Sequence, residues 1–424
     1  KNMRLGIITY RGICSVIVLL IFAFSVFIDM YNGYCQHYLN KIPLLPSLYK
    51  GGVLFVCLSC SFIGKWKPFF KGLLLCLFLY VVSFLYWCIF EPYFSLKDEF
   101  GFFIKFSFPY IVLAFLFLCE KHISTSRLIR LLTYYGIIGA VSIIVLFFLG
   151  LGVNSYGEVD SAYGFGTKGF FTAGNDIGLV LLLTNSLLCY LYLSRNKLHY
   201  LFEIVLVTIG TIMLGTMAGI GGSILIWGIL FGFILFSKKF LSKRQKLFLA
   251  LIIGGILGYI IYNIIAILTA DDYMVQRFHT LLSGDSRTGL EVPAKHIMSK
   301  FNVAQWLLGR GYTGFGKSMA LERNLEGYRL TEMDFYDVIG YYGVILGGIV
   351  LLFSFYILFI ICRSYLKKHS SIYFWGIIFM CLFIGHGCLA GHAYTSTQAS
   401  LLFTGFVFCI WRKYHTNKFE AIKK

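Results

Sequence analysis

Apolar runs of about 20 residues recur from Ile13 to Trp411 with short polar breaks between them, and a helix of that length is what a lipid bilayer requires. A mean hydropathy of +0.78 over 424 residues, 58% of them hydrophobic and 18% aromatic, leaves too little polar surface to cover a soluble domain of this size. In hydrocarbon every backbone N–H and C=O must find its partner within the protein, which admits helices or closed barrels. The runs are continuous rather than alternating, which excludes a barrel. The expected fold class is therefore all-α: a polytopic integral membrane protein forming one membrane domain, residues 1–424.

Twelve spans are expected, at 12–31, 45–64, 72–91, 100–119, 131–151, 176–194, 199–215, 219–237, 247–269, 335–362, 371–391 and 394–411. Lys1, Arg4 and Arg11 precede the first run, and no small-residue cleavage site follows it, so it is expected to span rather than to be a signal peptide. The net charge of +18 does not point to nucleic acid, because the basic residues sit in short clusters between spans, among them Lys65 to Lys71, Lys238 to Lys246 and Lys367-Lys368. With both termini cytoplasmic, Lys and Arg inside outnumber those outside by about two to one, as the positive-inside rule requires. Of the 12 cysteines only Cys35 falls in an expected outer loop, so no disulfide framework is legible.

Two outer segments are long enough to hold function. The smaller loop, 152–175, is rich in Gly and Tyr and carries Lys168. The larger, 269–334, carries Arg277, Arg287, Arg310, Arg323 and Arg329 on the side where basic residues are scarce; loops of this length usually form a lid or a binding element. Its centre, Val292 to Leu308, has apolar residues at helical spacing (Ile297, Phe301, Val303, Leu307) with Pro293 near a first turn, which predicts an amphipathic helix on the membrane surface.

Arginine keeps its charge in any environment and meets phosphate oxygens with a planar fork, so outer arginines suit a diphosphate. Arg287 lies in the turn-forming string Ser283 to Gly289, and Arg310 in the glycine string Gly309 to Gly316, where freed N–H groups can point at an anion. The loop also holds as many acids as bases, which leaves a solvated, salt-bridged surface as the alternative. Glu332, Asp334 and Asp337 stand where the loop enters the tenth span. They are either helix-capping acids or a general base at the membrane mouth. His386 and His392 lie between the last two spans and suit hydrogen bonding or substrate contact; spaced as they are, they do not share a helix face, and no metal or other cofactor is expected.

Ala173-Gly174-Asn175-Asp176-Ile177-Gly178, Gly215-Thr216, Leu307 to Tyr312 and Thr331 to Asp337 before Tyr342-Gly343, in this order relative to the spans, resemble the O-antigen polymerase and O-antigen ligase superfamily over roughly residues 170–400. The resemblance implies a C-type glycosyltransferase fold in the bacterial inner membrane, acting on the periplasmic face. The implied donor and acceptor are oligosaccharides carried by undecaprenyl pyrophosphate, with a chain-length regulator protein as a further candidate partner. Ligases of the superfamily typically carry a histidine where the loop meets the next helix. This chain has Glu332 and Asp334 there, which is more similar to the polymerases.

On that resemblance Glu332 and Asp334 are the expected catalytic acids, Arg287, Arg310, Arg277 and Lys168 the expected pyrophosphate ligands, and His392, Tyr312 and Asn175 expected sugar contacts. The competing classes are a ligase to lipid A core and a flippase or transporter of the same lipid-linked glycan. Transporters usually show paired repeats and polar residues at mid-membrane, whereas charge here is concentrated in one loop.

Overall fold

The structure, a computed structural model, describes residues 2–63, 67–120, 122–156, 165–236 and 285–422. The expected ninth span, Arg277 and the first part of the large loop lie outside the described residues. The chain divides into two compact units, Lys1–Ser223 with Phe301–Lys424, and Ile224–Lys300.

Eight helices come first: α1 (Asn2–Tyr38), α2 (Leu45–Ile63), α3 (Lys67–Phe90), α4 (Leu96–Leu118), α5 (Thr125–Phe148), α6 (Gly174–Arg195), α7 (Leu198–Leu214) and α8 (Met217–Phe236). A two-stranded antiparallel hairpin, β1 (Asn154–Tyr156) and β2 (Phe165–Thr167), lies between α5 and α6. Next are α9 (Asp285–Ser299), α10 (Val303–Leu308), α11 (Gly311–Glu322), α12 (Asp334–Tyr342), a π-helical turn (Gly343–Gly347), α13 (Gly348–Lys368), α14 (Ser371–Leu389) and α15 (Thr397–Ile422). Among the described residues seven helical segments are long and apolar enough to cross a membrane. Rows of exposed large apolar side chains, such as Leu352, Phe355 and Phe359 on α13, suit a lipid-facing surface rather than water.

The first unit is organised around α6. Its residues are buried on nearly every side, and it packs against α5, α7, α14 and α15. Lipid does not drive helices together as water does, so small residues and interhelical hydrogen bonds hold such contacts. Asn185 on α6 donates to the Thr208 hydroxyl of α7 at 3.2 Å. At the far end, Arg130 of α5 makes two hydrogen bonds to Glu203 of α7, at 2.5 and 2.6 Å.

Three expectations are corrected. First, α1 continues to Tyr38, so Cys35 is a buried helical residue rather than part of an outer loop. Second, the amphipathic helix starts at Asp285, with Pro293 in its interior, and ends at Ser299; in the second unit its buried stripe is Leu290, Ala294, Ile297 and Met298. Val303 and Leu307 belong to a separate helix, because Asn302 and Gln305 form a capping box that starts α10 afresh, a device worth about 1 kcal/mol. Third, the tenth span is longer than expected, running Asp334–Lys368, and it bends at Gly343, φ +68°, where α12 passes through the π-helical turn into α13.

Candidate active site

At one end of the first unit three segments converge. The first follows the hairpin. Lys168 donates its backbone N–H to Val153 at 2.9 Å, which extends the ladder, and β2 packs on α7. The loop expected at 152–175 is thus anchored at both described edges. Beyond it the Lys168 ammonium donates to the Thr172 carbonyl at 3.2 Å, and burial pushes this lysine below the usual range. Asn175 donates to the Ala390 carbonyl at 3.5 Å, and Asp176 occupies the first turn of α6, where an acid complements the exposed N–H groups.

The second and third segments, Thr331 to Asp337 and Ala390 to Tyr394, fold onto one another. Asp334 is fully buried at the start of α12, and its Oδ2 accepts the backbone N–H groups of Ala393 at 2.6 Å and Tyr394 at 3.1 Å. Hydrogen bonds contribute about 1 kcal/mol each and leaving these two buried N–H groups unmet would cost more, so Asp334 pins the 390–394 turn. Asp337 accepts from the Thr331 backbone N–H at 2.9 Å and the Tyr341 hydroxyl at 3.2 Å. His386 meets the Gly391 carbonyl through Nδ1 at 3.1 Å, a structural hydrogen bond that closes α14.

His392 follows in a left-handed conformation, with Nδ1 3.7 Å from Asp176 Oδ1 and Asp337 within electrostatic reach. Glu332 is left-handed too, and its main chain lies against Gly391 so closely that a Cβ there would come within 2.4 Å of the Glu332 carbonyl carbon. Its side chain is partly exposed, 3.4 Å from Arg329. The structure therefore brings Asn175, Asp176, Glu332, Asp334, Asp337 and His392 together.

Arg310 is not available in the expected way. Its guanidinium makes three hydrogen bonds of 2.8 to 3.1 Å to Glu91 and one of 2.9 Å to Ser318, with Glu91 only 1% exposed. The glycine string does present N–H groups to an anion, but the anion is the protein's own. Glu99 of α4 accepts the Thr313 backbone N–H at 2.6 Å and its hydroxyl at 2.7 Å, capping α11. Gly309, at φ +74°, is there for close approach, since a Cβ would fall 2.2 Å from the Tyr341 carbonyl oxygen. Tyr312 stacks on Phe102 at 4.3 Å, and burial pushes its phenol up. Arg287 lies in α9, in the second unit.

Sequence reasoning passed over Glu91 and Glu99. The available signal was an acid at the edge of each apolar run, one of them with no helix start of its own to cap. It also gave Asp176 no role, although Asp176 faces His392 from a different span. Among the described residues no three His, Cys, Asp or Glu side chains gather as metal ligands.

The family model described as O-antigen ligase like membrane protein matches residues 52–284, just over half of the chain, and ends one residue before α9 begins. No curated protein and no solved structure matches.

Proposed function

Because this chain belongs to the O-antigen ligase like membrane protein family, a family of membrane proteins in surface-polysaccharide assembly, we propose that it is a polymerase. It transfers a glycan from undecaprenyl pyrophosphate to a sugar hydroxyl of a second lipid-linked repeat unit, on the periplasmic face of the inner membrane, with both termini cytoplasmic.

In this reaction the acceptor oxygen bonds to the anomeric carbon, the bond from that carbon to pyrophosphate breaks, and the hydroxyl proton leaves to a base. Glu332 is the base this reading selects. Asp334 has one oxygen committed to two backbone N–H groups at the foot of a turn and is fully buried, whereas the Glu332 carboxylate is partly exposed beside Arg329. Pyrophosphate leaves once its growing charge is met by cations, and Lys168 is the expected ligand that the first unit keeps on the same end. Arg287 and Arg277 remain proposed ligands from the large loop. The observation that carries the reading is that Glu332 and His392, two non-glycine residues in left-handed backbone, are brought to one place by the approach of the Glu332 main chain to Gly391.

One feature favours a second reading, the ligase. His392 brings an imidazole from the next connection to the junction where ligases of the superfamily carry a histidine. A single reconstitution separates the two. Purified protein supplied with only polyprenyl-pyrophosphate-linked repeat units yields a ladder of longer lipid-linked glycans if it is a polymerase. It yields product only after lipid A core is added if it is a ligase. In the polymerase case Glu332→Gln lowers ladder formation by about 10²-fold or more. No ladder from the unaltered protein overturns the polymerase reading, and an unimpaired Glu332→Gln overturns the choice of base.

A further inference from the structure

The C-terminal end of α1 and the segment after β2 are built onto one another. Gly33 permits this, since a Cβ there would overlap the Phe170 carbonyl. Tyr34 and Tyr38, one turn apart, stack at 5.4 Å, and Phe170 sets its ring edgewise to both, at 5.3 and 5.7 Å. The Tyr38 hydroxyl donates to the Leu151 carbonyl at 2.6 Å, which ties in the end of α5. Tyrosines that serve only as membrane anchors send their hydroxyls to water and headgroups. Here that hydroxyl is spent on the protein, and the three rings form a clasp in which Tyr34 and Tyr38 stay exposed.

Two donors stand beside the clasp. Lys168 uses one of its three N–H groups, on the Thr172 carbonyl at 3.2 Å. His37, in the last turn of α1, is within electrostatic reach of Lys168 and within hydrogen-bonding reach of the Thr172 main chain. Among the described residues no carboxylate pairs with either. A half-buried ammonium with no acid to offset it leaves a positive potential that an anion relieves. The surroundings are apolar: Phe148, Leu149 and Leu151 are all exposed, and the apolar span of α1 ends at Tyr38, where hydrocarbon gives way to water. A ligand that suits this place has an anion joined directly to a long apolar chain. A glycerophospholipid does not, because its ester-linked glycerol stands between phosphate and hydrocarbon and would bring polar groups against the rings. Thr172 is three residues before Asn175, so the far side of the anion is carried toward the candidate site.

We propose that the end of α1 and the 168–172 segment seat the polyprenyl diphosphate, with Lys168 and His37 donating to the phosphates and Tyr34, Tyr38 and Phe170 holding the first isoprene units. The inference rests on the polymerase reading above and adds to it a second phosphate donor, His37, and a contact surface for the lipid.

The test uses the full chain in phosphatidylcholine nanodiscs and measures binding of labelled polyprenyl pyrophosphate. His37→Leu, which removes a donor at an exposed helix end, is expected to weaken binding about tenfold, the loss of one hydrogen bond to a charged group. Tyr34→Ala, which opens the clasp and strands no polar group, is expected to weaken it about fivefold. Thermal unfolding confirms that both fold, with Tyr34→Leu in place of a Tyr34→Ala that does not. Phosphatidylglycerol is expected not to displace the probe at concentrations where unlabelled polyprenyl pyrophosphate does. If the folded variants bind as the unaltered protein does, the seat is overturned. If phosphatidylglycerol displaces the probe equally well, the clasp takes bilayer lipid and the proposal is overturned. The ladder assay separates these failures from that of the functional reading. An unaltered protein that makes the ladder while the variants bind normally loses the seat alone. One that binds with the expected losses but makes no ladder loses the polymerase reading and keeps the seat, and one that does neither loses both.

Discussion

The main chain of Glu332 abuts Gly391, the residue before His392, and Glu332 and His392 both hold left-handed backbone, at φ 56° and 67°. For a residue with a Cβ that conformation costs about 1–2 kcal/mol, and it persists only where the surroundings enforce it. Here the enforcement is visible in the Asp334 bonds to Ala393 and Tyr394, the approach of His392 to Asp176, and the Thr331 bond to Asp337. Glu332→Gly and His392→Gly are therefore each expected to raise stability by about 1 kcal/mol while lowering polymer formation. Thermal unfolding of the purified variants beside a product ladder checks this. A fall in stability would show that the side chains hold the turn and that no strain is stored there.

Asp334 separates a structural carboxylate from a catalytic one. Asp334→Ala strands two buried N–H groups and is expected to cost about 3 kcal/mol. Asp334→Asn keeps an oxygen to accept them and is expected to retain the fold and measurable polymerisation. Denaturant unfolding and the ladder, measured on both variants, decide the matter. A well-folded Asn variant with no activity would move the base from Glu332 to Asp334.

For Arg310 the distinction is between fold and substrate. Removing the guanidinium alone leaves Glu91 charged and buried, which is expected to cost about 3–5 kcal/mol. Removing both charges, as Arg310→Met with Glu91→Met, is expected to cost clearly less than the two single changes added together. The double variant is expected to bind bare polyprenyl pyrophosphate as the unaltered protein does. Its failure to bind while folded would return Arg310 to the substrate.

What was legible in the sequence follows from which signals are local. Spans are local: an apolar run such as Leu179 to Leu183 must be buried or lipid-facing wherever it lies. The turn between α7 and α8 is local for the same reason, because it falls between two apolar runs, with Gly215 at φ +75°. Charge pairing is not local. Arg310 and Glu91 are 219 positions apart, and nothing near either residue announces the other. A string of glycines around an arginine therefore has the same sequence pattern whether it binds a ligand's anion or the protein's own Glu91 and Glu99. The split of the amphipathic segment was legible in principle, because Asn302 and Gln305 have capping-box spacing; the apolar periodicity running through them masked it.

Lys168 gives a pH dependence with opposite signs in two measurements. Burial lowers its affinity for a proton, so the folded protein gives the proton up below the ordinary lysine value of 10.5, at which the unfolded chain still holds it. Between those two points the unfolded state binds more protons, and stability is expected to rise with pH through that window. Binding of polyprenyl pyrophosphate is expected to move the other way, because the neutral amine no longer offsets the diphosphate charge. Its alkaline decline is expected to begin below the ordinary lysine range. Lys168→Arg keeps its charge throughout and is expected to flatten the alkaline decline in binding; Lys168→Met is expected to abolish it and to start from weaker binding. Affinity measured across the alkaline range for the three proteins checks the argument. Should Lys168→Met bind as tightly as the unaltered protein at neutral pH, with the same alkaline profile, Lys168 does not meet the diphosphate.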